Sequence, residues 1–248
     1  MTTKGWIIFI ALIVVALGGA VYLSQQSKLI VDGVDINKIQ AASDKNGQIA
    51  DHIEGTGTKV TLIEYGDYQC PGCDAAAPNI RQLVDKYKDK LTFVFRNKLI
   101  PGHQNSRAAA SFAEAAGMQG KYFEMNEKLY TTQTTWETLS GQARTDYFSG
   151  LITQIGGDAA KANSVVDGDA ISKKIAFDDA LAGKHGVTGT PTFYVNGKNV
   201  SDIYVLNGAL STKGAKDSSG NASQLIWTSA ADFDTYALQP AFKDAGIQ

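Results

Sequence analysis

The only two cysteines among the 248 residues stand three apart, Cys70 and Cys73, in the run EYGDYQCPGCDAAAP from Glu64 to Pro78. A chain that concentrates its thiols in this way has three chemistries open to it: half of a metal site, a local crosslink, or a redox pair. Structural zinc takes four ligands and a lone CxxC supplies two. His52, His103 and His185 do not stand at paired finger spacing. A bridge across so short a loop removes little entropy from the unfolded chain. Redox chemistry is the reading that remains.

The flanking sequence says where the pair sits. Lys59 to Tyr65, KVTLIEY, is β-branched and apolar and predicts a strand closed by Gly66-Asp67. Pro71 suits the first turn of a helix, where its missing N–H costs nothing. From Asp74 to Lys88, Ile80, Leu83, Val84 and Tyr87 recur at helical spacing. The pair is therefore expected where a strand turns into a helix, with Cys70 at or beside the N-cap. Free backbone N–H groups and the helix dipole stabilise an anion there, and such positions lower a thiol pKa. Cys70, first and more exposed, is the expected nucleophile; Cys73, one turn in and buried, is the expected resolving thiol. Pro78 falls inside the helix and is expected to kink it.

The N-terminus bears on the compartment. From Trp6 to Leu23 eighteen residues carry no charge. As a helix they reach about 27 Å, close to the ~30 Å hydrocarbon core of a bilayer. Lys4 precedes them, which keeps the N-terminus in the cytoplasm and the remainder outside. A single-pass anchor is expected. A cleaved signal peptide ending near Gly18-Gly19-Ala20 is the rival, and no cysteine follows the run, against a lipoprotein. Both readings export the rest of the chain to a compartment where disulfides persist. The formal net charge of −2, with no basic run interleaved with aromatics, argues against nucleic acid as a partner.

Strand, CPGC, and a helix with a proline five residues after the second cysteine resemble the thioredoxin superfamily. A second match is GVTGTPTFYVNG, Gly186 to Gly197. There Thr190-Pro191, then Thr-Phe-Tyr-Val and an Asn196-Gly197 turn, resemble that family's cis-proline loop and following strand. KLTFVFRNKLI, Lys90 to Ile100, reads as the next strand. Cys73 and Pro191 lie 118 positions apart, with alanine-rich helical stretches between them. A helical insertion at this place resembles the DsbA-like thiol–disulfide oxidoreductases. The expected class is thus α/β: a thioredoxin-like fold with an inserted helical domain, preceded by one transmembrane helix. The expected divisions are an anchor (1–28), a linker and extension (29–57), a first thioredoxin-like part (58–100), a helical insertion (101–185) and a second thioredoxin-like part (186–248).

The resemblance implies roles. Cys70 attacks or is attacked and Cys73 resolves, the two forming the redox disulfide. Pro191, in cis, shields the pair and presents the Thr190 backbone to an extended substrate peptide by strand-like pairing. Pro71 and Gly72 belong to the same binding surface. Glu64, six residues before Cys70, matches the buried acid that assists proton transfer at the resolving cysteine; an exposed strand carboxylate is the bland alternative. Strong oxidases of the family often carry histidine before the second cysteine. Gly72 adds no charge there, so a milder oxidant is expected. The favoured reading is an oxidase that gives its disulfide to newly exported, reduced proteins and is re-oxidised by a quinone-linked membrane partner of the DsbB or VKOR kind. No cofactor and no metal are implied. A membrane-tethered reductase or isomerase is the enzymatic alternative, and a redox-inert peptide-binding module the non-enzymatic one.

Other features take plainer readings. His103 and His185 are expected as helix-cap or surface residues, and Tyr65, Tyr68 and Trp136 as core or groove lining. Residues 207–224 read as a polar surface loop before a final helix from about Ser229 to Ala245.

Overall fold

A computed structural model of the chain describes residue 31, residues 33–43 and residues 49–247. The apolar stretch Trp6–Leu23, expected as an anchor, lies outside them. Among the described residues no helix is long and apolar enough to cross a membrane.

Two apolar runs make the centre of the sheet. β1 (His52–Glu54), β2 (Val60–Gly66), β3 (Leu91–Asn97), β4 (Thr192–Val195) and β5 (Lys198–Asn199) form one five-stranded sheet in the order β1-β3-β2-β4-β5. β2 and β3 are parallel; the other pairs are antiparallel. Every residue of β3 and all but Thr61 of β2 is buried, as expected of strands covered on both faces. The crossover between them is α1 (Pro71–Lys86), which turns Cys73, Ala76, Ile80, Leu83 and Val84 into the core. It starts at Pro71 with Cys70 as its N-cap, as the sequence predicts, and runs on through Pro78.

β3 ends at Asn97 rather than at Ile100. The Lys98 N–H bonds the Gly66 carbonyl at 2.8 Å as the last bond of the β2–β3 ladder; beyond it the Ile100 N–H bonds the Asp67 carboxylate at 2.7 Å, which draws the chain off the ladder. Six helices then connect β3 to β4: α2 (Ser106–Gly117), α3 (Tyr122–Thr131), α4 (Gln133–Trp136), α5 (Gly141–Gln154), α6 (Ala159–Val165) and α7 (Asp169–Lys184). α2 and α3 are separated at Gly120, whose φ of 71° favours glycine.

The segment read as linker and extension contributes β1 and a buried anchor point. Arg96 grips both Asp51 oxygens (3.0 and 2.7 Å) and bonds the carbonyls of Ile36 and Lys38 and the Tyr65 hydroxyl. Residues 207–224 differ from the expected loop. β6 (Tyr204–Leu206), β7 (Ala209–Ser211) and β8 (Gln224–Leu225) form a small antiparallel sheet in the order β7-β6-β8. Asn207 and Gly208, with φ of 52° and 75°, supply the left-handed pair that a two-residue hairpin requires. The chain ends in α8 (Ala230–Phe233), a π-helical turn (Asp234–Leu238) and α9 (Gln239–Asp244). Ser229 caps α8 by accepting the Asp232 N–H.

Candidate active site

The strand-to-helix corner carries the two thiols. Cys70 is the N-cap of α1, with extended backbone (φ −75°, ψ 122°), and Pro71 follows as the first helical residue. The corner is held from both sides. The Cys70 N–H bonds the Asp67 carbonyl at 3.0 Å. Gln133 reaches across from α4 and donates to the carbonyls of Tyr68 (2.8 Å) and Cys70 (3.2 Å). Both cysteines are free thiols; Cys70 is 8% exposed and Cys73 fully covered.

Facing them is the loop that enters β4, where the Thr190–Pro191 peptide bond is cis. The Cys70 thiol donates to the Thr190 carbonyl at 3.3 Å. Gly72 approaches the same loop closely: a Cβ there would stand 3.2 Å from Pro191 Cδ and 3.7 Å from Cys70 Sγ. Cys70, Gly72, Thr190 and Pro191 thus share one surface, with Pro71 beside them at the helix start.

The electrostatics of the two thiols diverge. The Cys70 pKa falls from 9.0 to about 5, chiefly because the Cys73 thiol hydrogen-bonds its sulfur; the Cys73 and Gly72 N–H groups add to this, while burial opposes it. At Cys73 burial dominates, and the hydrogen bond with Cys70 and the charge of Glu64 push the same way, well above the ordinary thiol value. Its sulfur accepts the Asp67 N–H at 3.5 Å.

Glu64 lies in β2 between Phe95 of β3 and Phe193 of β4. It is 2% exposed, and its Oε1 has no hydrogen-bond partner. Burial, reinforced by the Cys70 charge, raises its pKa from 4.5 to about 8, so the carboxyl is neutral at pH 7. Gly66 has no room for a side chain: a Cβ would stand 2.5 Å from the Phe95 ring and 3.1 Å from Glu64 Oε1.

Sequence reasoning passed over three residues that build this site. Asp67, 1% exposed, accepts the N–H groups of Gln69 (2.8 Å) and Ile100 (2.7 Å) and the Ser106 hydroxyl, with His103 Nδ1 at 3.0 Å. It ties the CxxC corner to the start of the helical segment. Gln133 is the second. Tyr130 is the third: 4% exposed, its hydroxyl without a partner, its ring against Tyr68 and Phe95. Apart from the bonds of Asp67 within its own corner, to Gln69, Cys70 and Cys73, their partners lie 33 to 65 positions away in sequence, so no local pattern announces them. His185 caps the C-terminus of α7 and stacks on Tyr194; burial, with the nearby Arg96 charge, lowers its pKa to about 4. No group of three or more metal-binding side chains is found among the described residues.

The geometry can be set beside known proteins. A family model described as Thioredoxin matches residues 51–208, more than half of the chain, including the CxxC corner and the Thr190–Pro191 loop. The chain belongs to this thioredoxin family. Among solved structures it is similar to a thioredoxin-like oxidoreductase from Silicibacter pomeroyi. That likeness is 27% identical, covers 79% of this chain and 92% of that one, and has a TM-score of 0.52. It is also similar to BdbD from Bacillus subtilis (25% identical, 60% and 83% covered, TM-score 0.54). The alpha-DsbA1 protein from Wolbachia pipientis, 20% identical over 79% of this chain and 92% of that one, shares the fold with a TM-score of 0.58. The thioredoxin fold here is therefore of the DsbA-like kind. Curated relatives include the Na(+)/H(+) antiporter NhaA 1 of Salinispora arenicola, 33% identical over 156 residues, which are 62% of this chain and 23% of that protein. The antiporter NhaA 1 of Mycobacterium sp. is 35% identical over 151 residues, 60% of this chain and 24% of that protein. The chain spans about a quarter of the length of these relatives.

Proposed function

We propose that the chain is an extracytoplasmic thiol–disulfide oxidase that passes the Cys70–Cys73 disulfide to reduced, exported proteins. The observation that carries this reading is the split between the thiols: Cys70 is acidified at the helix N-cap, while Cys73 is buried above a neutral acid. A CxxC pair oxidises others when its reduced form is the more stable, and a thiolate at Cys70 stabilises that form.

The steps follow from the arrangement. A substrate thiolate attacks Cys70 Sγ and the Cys70–Cys73 bond breaks. Cys73 leaves as a thiolate and takes the proton held by Glu64. A second substrate thiol, deprotonated, attacks its partner sulfur in the mixed disulfide and releases Cys70 as a thiolate. Two electrons pass from the substrate to the pair. The substrate peptide lies extended along Thr190 and Pro191, against Pro71 and Gly72, held by main-chain hydrogen bonds. Re-oxidation falls to a quinone-linked membrane protein, and residues 1–28 anchor the chain beside it. The longer antiporter relatives share 151 to 156 residues with this chain, close to the span of the family match, which supports a setting at a membrane. We assign no antiport to this chain.

The test is oxidative refolding of a reduced, unfolded protein by the oxidised chain. Catalysis above a glutathione blank is expected, with Cys70→Ser inactive and Cys73→Ser, supplied with oxidised glutathione as the oxidant, accumulating a mixed disulfide through Cys70. A rate no better than the blank, with both thiols intact, overturns the oxidase reading.

A further inference from the structure

Gln133 is buried at the start of α4, and its amide nitrogen spans the CxxC corner. It donates to the Tyr68 carbonyl at 2.8 Å and to the Cys70 carbonyl at 3.2 Å, across 65 and 63 positions of sequence. Both partners are acceptors only, so the nitrogen of the amide, not its oxygen, faces them. The Cys70 carbonyl also takes the Asp74 N–H at 3.1 Å as the first turn of α1 closes.

What Gln133 grips decides how the helix meets the sulfur. Cys70 caps α1 with φ −75° and ψ 122°. A side chain caps a helix from such non-helical backbone, where it faces the N–H groups of the second and third helical residues. Those residues are Gly72 and Cys73, because Pro71 is the first and has no N–H. The Cys70–Pro71 peptide is planar, so the place of its carbonyl oxygen fixes ψ. On the other side the Cys70 N–H is tied to the Asp67 carbonyl at 3.0 Å. One bond thus holds the φ side of Cys70, and Gln133 holds the ψ side.

The grip is itself anchored. Gln69, between the two carbonyls, donates to the Glu137 carbonyl at 3.1 Å and accepts the Asn105 N–H at 2.7 Å. Asn105 Nδ2 in turn bonds the carbonyls of Trp136 (3.2 Å), Glu137 (2.8 Å) and Leu139 (2.8 Å). Residues 68–70 and the turn after α4 are fastened as one block.

We infer that Gln133 is a positioning residue for Cys70: by holding the Tyr68 and Cys70 carbonyls it keeps the first N–H groups of α1 aimed at the Cys70 sulfur. Its bonds are to backbone oxygens, so it acts through the Cys70 main chain rather than on the sulfurs. The inserted helices, and not the sheet alone, then set how readily Cys70 ionises. The inference rests on Cys70 as the nucleophile of the proposed exchange. The ionisable groups around the corner are Cys73 and Asp74 on α1, Glu64 on β2, Asp67 before the pair and Glu137 after α4.

The test leaves those groups in place and compares the full, reduced chain with Gln133→Met, which keeps the side-chain length and removes both donors. Thiolate absorbance and the iodoacetamide rate are followed from pH 3 to 9. The Cys70 half-point should rise by roughly one unit. The equilibrium with glutathione should move roughly tenfold toward the disulfide, about 30 mV. Gln133→Asn, too short to reach both carbonyls, should shift the half-point less in the same direction, and it decides the matter if the Met variant does not fold. Trp136→Phe loses the indole bond to the Leu129 carbonyl (2.8 Å) and loosens α4 without touching either grip. It should lower the urea midpoint and leave the half-point in place. A half-point unchanged in the Gln133 variants, or moved as far by Trp136→Phe, would overturn the inference. A parent that titrates like free cysteine removes the nucleophile assignment and this inference with it. An acidic parent that fails to catalyse refolding sinks the oxidase reading alone, and the shift in the Gln133 variants still decides this one.

Discussion

At the scale of single residues, two ionisations beside the reactive corner are displaced in opposite directions. Cys70, at about pH 5, is held down by the Cys73 thiol and by helix N–H groups. Its reaction with iodoacetamide should rise through pH 4 to 6 and level off above; a half-point near that of free cysteine, about 8.5, would remove the basis of the nucleophile assignment. Glu64 is displaced upward, from 4.5 to about 8. A carboxyl with a raised folded-state pKa binds its proton more tightly in the native state than in the unfolded one. Its contribution is therefore fully present below pH 4.5 and is lost as pH rises through 8. Glu64→Gln should remove this slope. Across pH 4.5 to 9 the variant should gain on the parent by up to about 5 kcal/mol, read from denaturant unfolding at each pH. Parallel pH–stability curves would show that Glu64 is ionised throughout.

At the scale of elements, the fold depends on contacts far apart in sequence. The Asp51–Arg96 pair, with both side chains fully covered, fastens the N-terminal segment to β3. Asp51→Ala leaves a buried guanidinium without its carboxylate and should cost about 3–5 kcal/mol, seen as a lowered urea midpoint; a change below 1 kcal/mol would mean the segment is dispensable. The β2–α1 corner was legible because its signals are local: a β-branched run, a Gly-Asp stop, and proline at the first helical position. The β4 loop was legible for the same reason. The small β6–β7–β8 sheet was not. Its composition is that of a loop, and it pairs because Asn207-Gly208 closes a hairpin. β3 stops early through side-chain bonds from Asp67 that no periodicity contains. Gly66→Ala belongs to this scale too. The new methyl group would press into the buried Phe95 ring and should cost about 1–3 kcal/mol; unchanged thermal stability would show that the ring can move aside.

At the scale of the whole molecule, the sheet and the helices of 106–184 hold one reactive corner between them. β2 delivers Glu64 and α1 carries the thiols. The β4 entry places Thr190 against Cys70, and α3 and α4 close the far side with Tyr130 and Gln133. The cysteines, Thr190, Pro191 and Glu64 could be named from motifs. Asp67, Gln133 and Tyr130 could not, because their places depend on how the helical segment folds back over the corner. On the proposed function, what this assembly sets is the balance between dithiol and disulfide. The most direct test is the reduction potential of Cys70–Cys73, by equilibration with glutathione buffers. An acidified Cys70 without a charged neighbour at Gly72 predicts a value between about −120 and −200 mV. A value near about −270 mV would contradict the oxidase account and identify a reductase.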